Sequence, residues 1–324
     1  MSDKKKRPAG SDKSETVREI PRACADETAA VEFIEAKRWP GGAACPECGS
    51  LNVYAMMDRK TGERSARFLW KCREKECGRQ FTVRIGTVFE DSRIPLRFWI
   101  LAFYRLNSSK KGYSALQLKR ETGLTYKSAW FLLHRVRYAM TDIPGTPPAP
   151  LDGTVEVDET FVGGKPRNRP KTPEERRAHH AKKGKVVILV ERGGKARVRT
   201  VPKVNAHNLR AVMGENVAPT ARVMTDDSTS YPFVKGDFAS HETTNHSARE
   251  YARGDVHSNT AESFFAIFKR GVYGTYHAIS KKHLHRYCGE FEHRWNMREQ
   301  DDGERTVEAI RKAWGKRLRY REPA

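Results

Sequence analysis

The sequence predicts a mixed α/β protein assembled from several modules, and three observations carry that reading. Four cysteines stand in two close pairs near the N-terminus, Cys45 with Cys48 and Cys72 with Cys77. A Pro-rich stretch, Ile143-Pro-Gly-Thr-Pro-Pro-Ala-Pro150, then divides a helical pattern from one dominated by strands. Beyond it, three acids fall at the ends of regular elements. Asp158 lies in the strand-like run Thr154–Val162, Asp226 ends the run Ala221–Asp226, and Glu262 opens the helix-like run Asn259–Arg270.

Charge narrows the partner. Among 324 residues, 61 Lys+Arg oppose 40 Asp+Glu, a formal +21. That balance concentrates polyanions at the surface and speeds their encounter, which makes nucleic acid the leading partner. No apolar run reaches bilayer-spanning length, and the Lys/Arg-rich start is followed by no apolar signal core, so neither a membrane partner nor secretion is expected. The expected location is the cytosol. Six cysteines are too few and too clustered for a secreted disulfide framework of this size.

Taken in order, residues 1–15 are polar and charged and are read as a disordered tail. Residues 16–90 form the cysteine module. Its entry, Thr28 to Trp39, carries Ala30, Val31, Phe33 and Ile34 at helical spacing. Cys45-Pro-Glu-Cys48 and Cys72-Arg-Glu-Lys-Glu-Cys77 each place two thiolates on one turn, the arrangement tetrahedral zinc takes up at about 2.3 Å per sulfur. Gly49 and Gly78 follow the second ligand of each pair, where a tight knuckle needs an unhindered backbone. Runs 52–57 and 66–70 are expected as strands around Lys60-Thr-Gly62, with a third over 80–85. The module reads as a zinc ribbon. Cys24 and Cys288 stand apart and are read as buried small hydrophobes.

Residues 91–142 are helical. Pro95 suits the first turn of a helix through Tyr104, and Ser114 suits the N-cap of a second. Gly123 breaks that helix and a third starts near Thr125, which is the helix-turn-helix outline. In that docking mode the start of the later helix enters the major groove, so Thr125, Tyr126, Lys127 and Ser128 would face DNA. Residues 143–151 are the linker.

Residues 152–300 read as three strands, a helix, a strand and a helix, the order of a ribonuclease-H-like core, with a basic C-terminal helix over 301–324. Lys185–Glu191 and Ala196–Val201 flank Arg192-Gly-Gly-Lys195 as a hairpin. Asn205 suits the N-cap of the next helix, and a short strand is expected near 242–244. Residues 163–184, rich in Gly, Pro, Arg and Lys, are expected as an exposed basic loop.

Along the first strand, Glu156, Asp158 and Thr160 share one face. Asp158 is preferred over Glu159, which is expected to begin the strand's exit; Glu156 is a supporting residue or a decoy. Asp226 is preferred over Asp227, which is expected to cap the following turn. On the third element Asn259, Glu262, Ala266 and Lys269 follow one helical face, so Glu262 can reach a metal, Lys269 a phosphate, and Asn259 can offer a neutral oxygen. Two Mg²⁺ or Mn²⁺ ions bridging Asp158, Asp226 and Glu262 to a scissile phosphate would serve phosphodiester cleavage and joining. His257 and His277 are candidates either for proton transfer or for structural hydrogen bonding.

With these residues in hand, the chain resembles bacterial insertion-sequence transposases that use an acidic triad, in particular the fifteen-ninety-five insertion-sequence family with its N-terminal zinc ribbon. The resemblance rests on Arg38-Trp-Pro-Gly-Gly42 with the Cys45 pair, Val157-Asp-Glu-Thr-Phe-Val-Gly-Gly164, Thr225-Asp226, and His257-Ser-Asn-Thr-Ala-Glu-Ser-Phe-Phe265 through Lys269-Arg-Gly-Val-Tyr-Gly-Thr-Tyr-His277. It implies a ribonuclease-H-like core, strand cleavage and strand transfer on double-stranded DNA at element terminal repeats and target, a divalent metal cofactor, and self-association to pair two ends. Lys269 and its neighbour Arg270 are expected to contact that DNA. The resemblance also admits Asn at the third acidic position, which leaves the division of labour between Asn259 and Glu262 open. Two other readings compete: a sequence-specific DNA-binding regulator with a catalytically silent core, and a ribonuclease-H-like nuclease without joining activity.

Overall fold

The computed structural model describes residues 15–142, 145–164, 172–226, 231, 233–244 and 254–319. Asp227 and the polar start of the chain, residues 1–14, lie outside them, as do 143–144 of the linker. The chain divides into two compact units. One comprises residues up to 108 with 118–139 and 299–320; the other is built mainly from 109–117 and 140–298.

The first unit pairs a small metal-ribbon sheet with helices. Helix α1 (Glu15–Ala23) is followed by α2 (Glu27–Arg38), which Asp26 caps by accepting the Ala29 N–H. Strands β1 (Val53–Ala55), β2 (Trp70–Cys72) and β3 (Gln80–Phe81) form an antiparallel sheet in that order. Glu35 of α2 anchors the hairpin, accepting a bidentate pair from Arg64 at 2.7 and 2.6 Å and the Trp70 indole N–H at 2.7 Å. The strands are shorter than expected. Ser65 turns the chain by accepting the Phe68 N–H on its carbonyl, so pairing resumes only at Trp70. Thr82 likewise closes a turn on Ile85, ending the third strand at Phe81.

Helix α3 (Leu96–Ser108) follows Pro95, whose carbonyl accepts the Phe98 N–H. Leu96, Trp99, Ile100, Phe103 and Leu106 fill one buried face, as the helical period requires. Helix α4 (Ala115–Thr122) starts with a reciprocal pair between Ser114 and Gln117 at 3.2 and 3.1 Å, and α5 (Tyr126–Met140) follows the turn at Gly123.

The second unit is a five-stranded sheet with helices on both faces. Its strands are β4 (Thr154–Val162), β5 (Gly184–Glu191), β6 (Ala196–Val201), β7 (Arg222–Asp226) and β8 (Ser240–Thr244), in the spatial order β6-β5-β4-β7-β8. The first three are antiparallel neighbours, whereas β4–β7 and β7–β8 are parallel. Alternation along β4 and β5 sends Val155, Val157, Val187 and Leu189 to one face. There they meet Leu209 and Met213 of α7 (Ala206–Asn216), which Asn205 caps at 3.0 Å. Val186, Ile188 and Val190 go to the other face, against Phe264, Phe265 and Phe268 of α9 (Asn259–Gly271) and Cys288 and Phe291 of α10 (Leu284–Asn296).

The expected basic loop over 163–184 is instead partly helical. α6 (Pro173–Lys182) begins at a capping box between Thr172 and Glu175, with acids in its first turn and basic residues in its last, and buries no side chain. Residues 165–171 lie outside the described residues. At the C-terminal end, α11 (Asp302–Arg311) opens on a capping box from Asp301 to Glu304, and Val307, Ala309 and Ile310 are buried in the first unit.

Candidate metal centres and nucleic-acid contacts

In the first unit the four expected cysteines come together. Their sulfurs all lie within 4.8 Å of one another, with Cys45 Sγ 3.7 Å from Cys77 and Cys48 Sγ 3.7 Å from Cys72. A tetrahedron with bonds of about 2.3 Å has edges of about 3.8 Å, so the cluster fits a structural zinc ion. The knuckles are made as the spacing demands: Gly49 and Gly78 adopt φ of 74° and 54°, and their N–H groups reach back to the carbonyls of Cys45 and Glu74. Trp39, Trp70 and Phe81 pack around the buried Cys45 and Cys72.

In the second unit the acids are gathered by sheet register. Parallel pairing aligns Thr154 with Arg222, Val155 with Val223 and Glu156 with Met224. Asp158 and Asp226 each lie two residues beyond the last of these pairs, so alternation returns both to the face of Glu156, where α9 begins. At the start of that helix the Thr260 and Ala261 N–H groups donate to Glu156, and Glu262 follows at once. The electrostatics agree. Burial pushes the Asp158 carboxyl up to about 6; Asp226 and Glu262 add to the rise, while the Glu159 amide and Lys269 oppose it. Asp158, Asp226, Glu262 and Lys269 therefore share one field.

Among the described residues, the cysteines are the group of ligand atoms that all lie within 4.8 Å of one another. Asp158, Asp226 and Glu262 would hold a divalent metal through carboxylate oxygens, the donors that Mg²⁺ and Mn²⁺ prefer. The donor set fits divalent metal.

Glu159 does not leave the strand. It pairs with Val187, because β5 carries the ladder on to Val162, and it points to the opposite face. There the Tyr231 hydroxyl donates to its Oε2 at 2.5 Å, and burial, reinforced by Asp226 and Asp158, pushes its carboxyl up to about 7. Tyr231 was not singled out by the sequence; only its place a few residues past Asp226 could have suggested it.

Asn259 is exposed at the first position of α9, with Glu262 exposed one turn on and Lys269 and Arg270 exposed in the last turn. Lys269 Nζ sits 5.7 Å from the Phe265 ring centre. His257 belongs to a structural network, its Nδ1 being 3.3 Å from Glu156 Oε1 and 3.1 Å from an Arg192 nitrogen. Exposed His277, at φ 58°, pairs its Nδ1 with the Tyr273 carbonyl at 3.1 Å. In the first unit Thr125, Tyr126 and Lys127 are exposed at the start of α5, and Thr125 Oγ1 caps it by accepting the Ser128 N–H at 3.2 Å.

Residues 150–296 match a family described as the ISXO2-like transposase domain, and residues 25–80 match the transposase zinc-ribbon domain. An uncharacterized protein in transposable element ISH50 of Halobacterium salinarum is 29% identical over 280 residues, covering 82% of this chain and 90% of that protein. A chain from the cryo-EM structure of a simian T-cell lymphotropic virus intasome in complex with PP2A regulatory subunit B56 gamma is 13% identical. Its TM-score is 0.26, and the overlap covers 54% of this chain and 63% of that one. Among the described residues no helix is long and apolar enough to cross a membrane.

Proposed function

We propose that this chain, which matches the ISXO2-like transposase domain over residues 150–296 and the transposase zinc-ribbon domain over residues 25–80, cleaves and rejoins DNA at the ends of its element in a divalent-metal-dependent reaction. The observation that carries this reading is the convergence of Asp158, Asp226 and Glu262 from two adjacent strands and one helix start. The strand order, with its antiparallel trio beside a parallel pair, supports a ribonuclease-H-like core.

Asp158 and Asp226 would hold the metal from the sheet and Glu262 from the helix, with Asn259 offering a neutral oxygen at the rim. When bound, Mg²⁺ or Mn²⁺ supplies positive charge at the scissile phosphate and acidifies the attacking water or 3′-hydroxyl. Lys269, about 10 Å further along the helix axis from Glu262, would bind a neighbouring phosphate of the same strand, with Arg270 beside it. Thr125, Tyr126, Lys127 and Ser128 would meet the terminal repeats, and the ribbon would support that contact. Two ends must be paired for joining, so the working form would be an oligomer, acting in the cytosol or nucleoid where its DNA lies.

A nicking and strand-transfer assay on the element's own flanking DNA tests this. Metal-dependent cleavage is expected, and Asp158→Ala should lower it by roughly three orders of magnitude, since metal charge stabilisation is worth several kcal/mol. Tight end binding with no cleavage in any divalent metal would point to a regulator instead. Cleavage of RNA–DNA hybrids without joining would point to a nuclease.

A further inference from the structure

Helix α9 begins without a cap of its own: Ser258, at the N-cap position, makes no side-chain capping bond. Its first amides are met from the sheet. Glu156, fully buried in β4, accepts the Thr260 N–H at 2.7 Å and the Ala261 N–H at 3.0 Å on Oε2, and the Thr260 hydroxyl at 2.9 Å on Oε1. The same Oε1 takes Arg192 Nε at 2.6 Å and lies 3.3 Å from His257 Nδ1. Arg192 also donates to the Asp255 and His257 carbonyls at 2.7 and 2.8 Å and rests 2.8 Å from Met224 Sδ. One carboxylate thus ties the β5–β6 turn, β7 and the chain entering α9 into a single junction.

Its position matters. A carboxylate at a helix start is favoured by the dipole and by unpaired amides, and here it comes from another element. Glu156 lies two residues, about 7 Å, before Asp158 on the same strand face. Its amide partners, Thr260 and Ala261, immediately precede Glu262.

We propose that Glu156 is a positioning residue: with Arg192 and His257 as its partners, it clamps the first turn of α9 to β4 and so sets the separation of Glu262 from Asp158 and Asp226. This rests on the reading of those three acids as the metal-holding set, and it adds a residue that itself touches neither metal nor DNA.

The test uses the full-length chain and Mn²⁺ alone as probe. In Glu156→Gln, hydrogen exchange at the Thr260 and Ala261 amides should quicken at least about tenfold while β5 and β6 keep their protection, and calorimetric Mn²⁺ affinity should fall about 10- to 100-fold. Thr260→Ala, which removes one donor and leaves the carboxylate in place, should lower affinity by about threefold and serves if Glu156→Gln does not fold. Cleavage by either variant should recover toward the wild-type rate at saturating Mn²⁺. A folded Glu156→Gln with unchanged Mn²⁺ affinity overturns the proposal, even if its melting temperature drops, because that marks an ordinary structural role. For Thr260→Ala, wild-type exchange and affinity do the same. A wild-type chain that binds no Mn²⁺ overturns the metal reading itself and the clamp with it, so the two failures are distinguishable.

Discussion

In the first unit, four sulfurs stand within 4.8 Å of one another, whereas the candidate ligands of the second, Asp158, Asp226 and Glu262, are carboxylates that meet through their mutual repulsion, Asp226 and Glu262 both raising the Asp158 carboxyl. The difference follows from ligand charge. Protonated thiols are neutral and can be packed together by two short knuckles and an aromatic lining of Trp39, Trp70 and Phe81. Carboxylates repel: two unit charges 4 Å apart cost about 4 kcal/mol at an effective dielectric of 20. Even at its present spacing, Asp158 is pushed up to about 6 by burial and its acidic neighbours. Four thiolates would leave a bound zinc ion no open position, which suits a structural role. The proposed acidic centre draws on three elements far apart in the chain, and Glu262, Asn259 and Lys269 are exposed, as a site that would admit DNA requires.

The comparison breaks most visibly at the third acid. Glu262→Gln keeps the shape and removes the charge from the helix side of the centre, so strand cleavage should fall by about two to three orders of magnitude. Asn259→Ala, at the exposed helix start, should cost less than about tenfold. Single-turnover cleavage rates under saturating metal check this; the reverse ranking would hand the third ligand position to Asn259. The cysteine cage should respond differently. Cys45→Ser, or stripping zinc with a chelator, should unfold the ribbon and weaken binding to terminal repeats by about tenfold or more, while Mn²⁺ affinity at the acidic centre stays within about twofold. Zinc content, limited proteolysis of residues 25–80 and calorimetry on the same preparation provide the readouts. Joint loss of both sites would erase the distinction between them.

How much of this was legible in the sequence depended on how local each determinant is. The cysteine pairs, the Ser114–Gln117 cap and the Asn205 cap are set within a few residues, and the structure forms each where the pattern places it. Strands β4 and β7 were legible because Val alternates with acids in one and an apolar run ends at Asp226 in the other. Glu156 was not legible as a helix cap, since its amide partner Thr260 lies 104 residues away and only the folded sheet joins them. The Glu159–Tyr231 bond is non-local in the same way. α6 was missed for a different reason. Gly, Pro and Lys around it read as loop, and they outweighed a local signal that was present, the Thr172-Pro-Glu-Glu175 capping box.

The smallest expected effect is a difference in the sign of pH dependence. In the folded chain the Asp158 carboxyl is raised to about 6 and that of Glu159 to about 7, chiefly by burial. In the unfolded chain both would titrate near 4. Between those values the metal-free native state holds more protons, so stability must fall as pH rises. Their contribution is complete below about pH 4 and is lost as pH passes through about 6 and then about 7. Metal-free protein should therefore melt a few degrees lower at pH 8 than at pH 5 in the transition of the second unit, and Asp158→Asn should flatten part of that slope. Added Mn²⁺ competes with the same protons, so its stabilising shift should be slight at pH 5 and grow toward pH 8. In the ribbon, protons compete with zinc for thiolates, so the zinc-loaded module should weaken toward acid pH. Calorimetric scans across that range, with and without metal, separate the two trends. Parallel slopes in both units would mean that ligand charge does not govern the contrast between them.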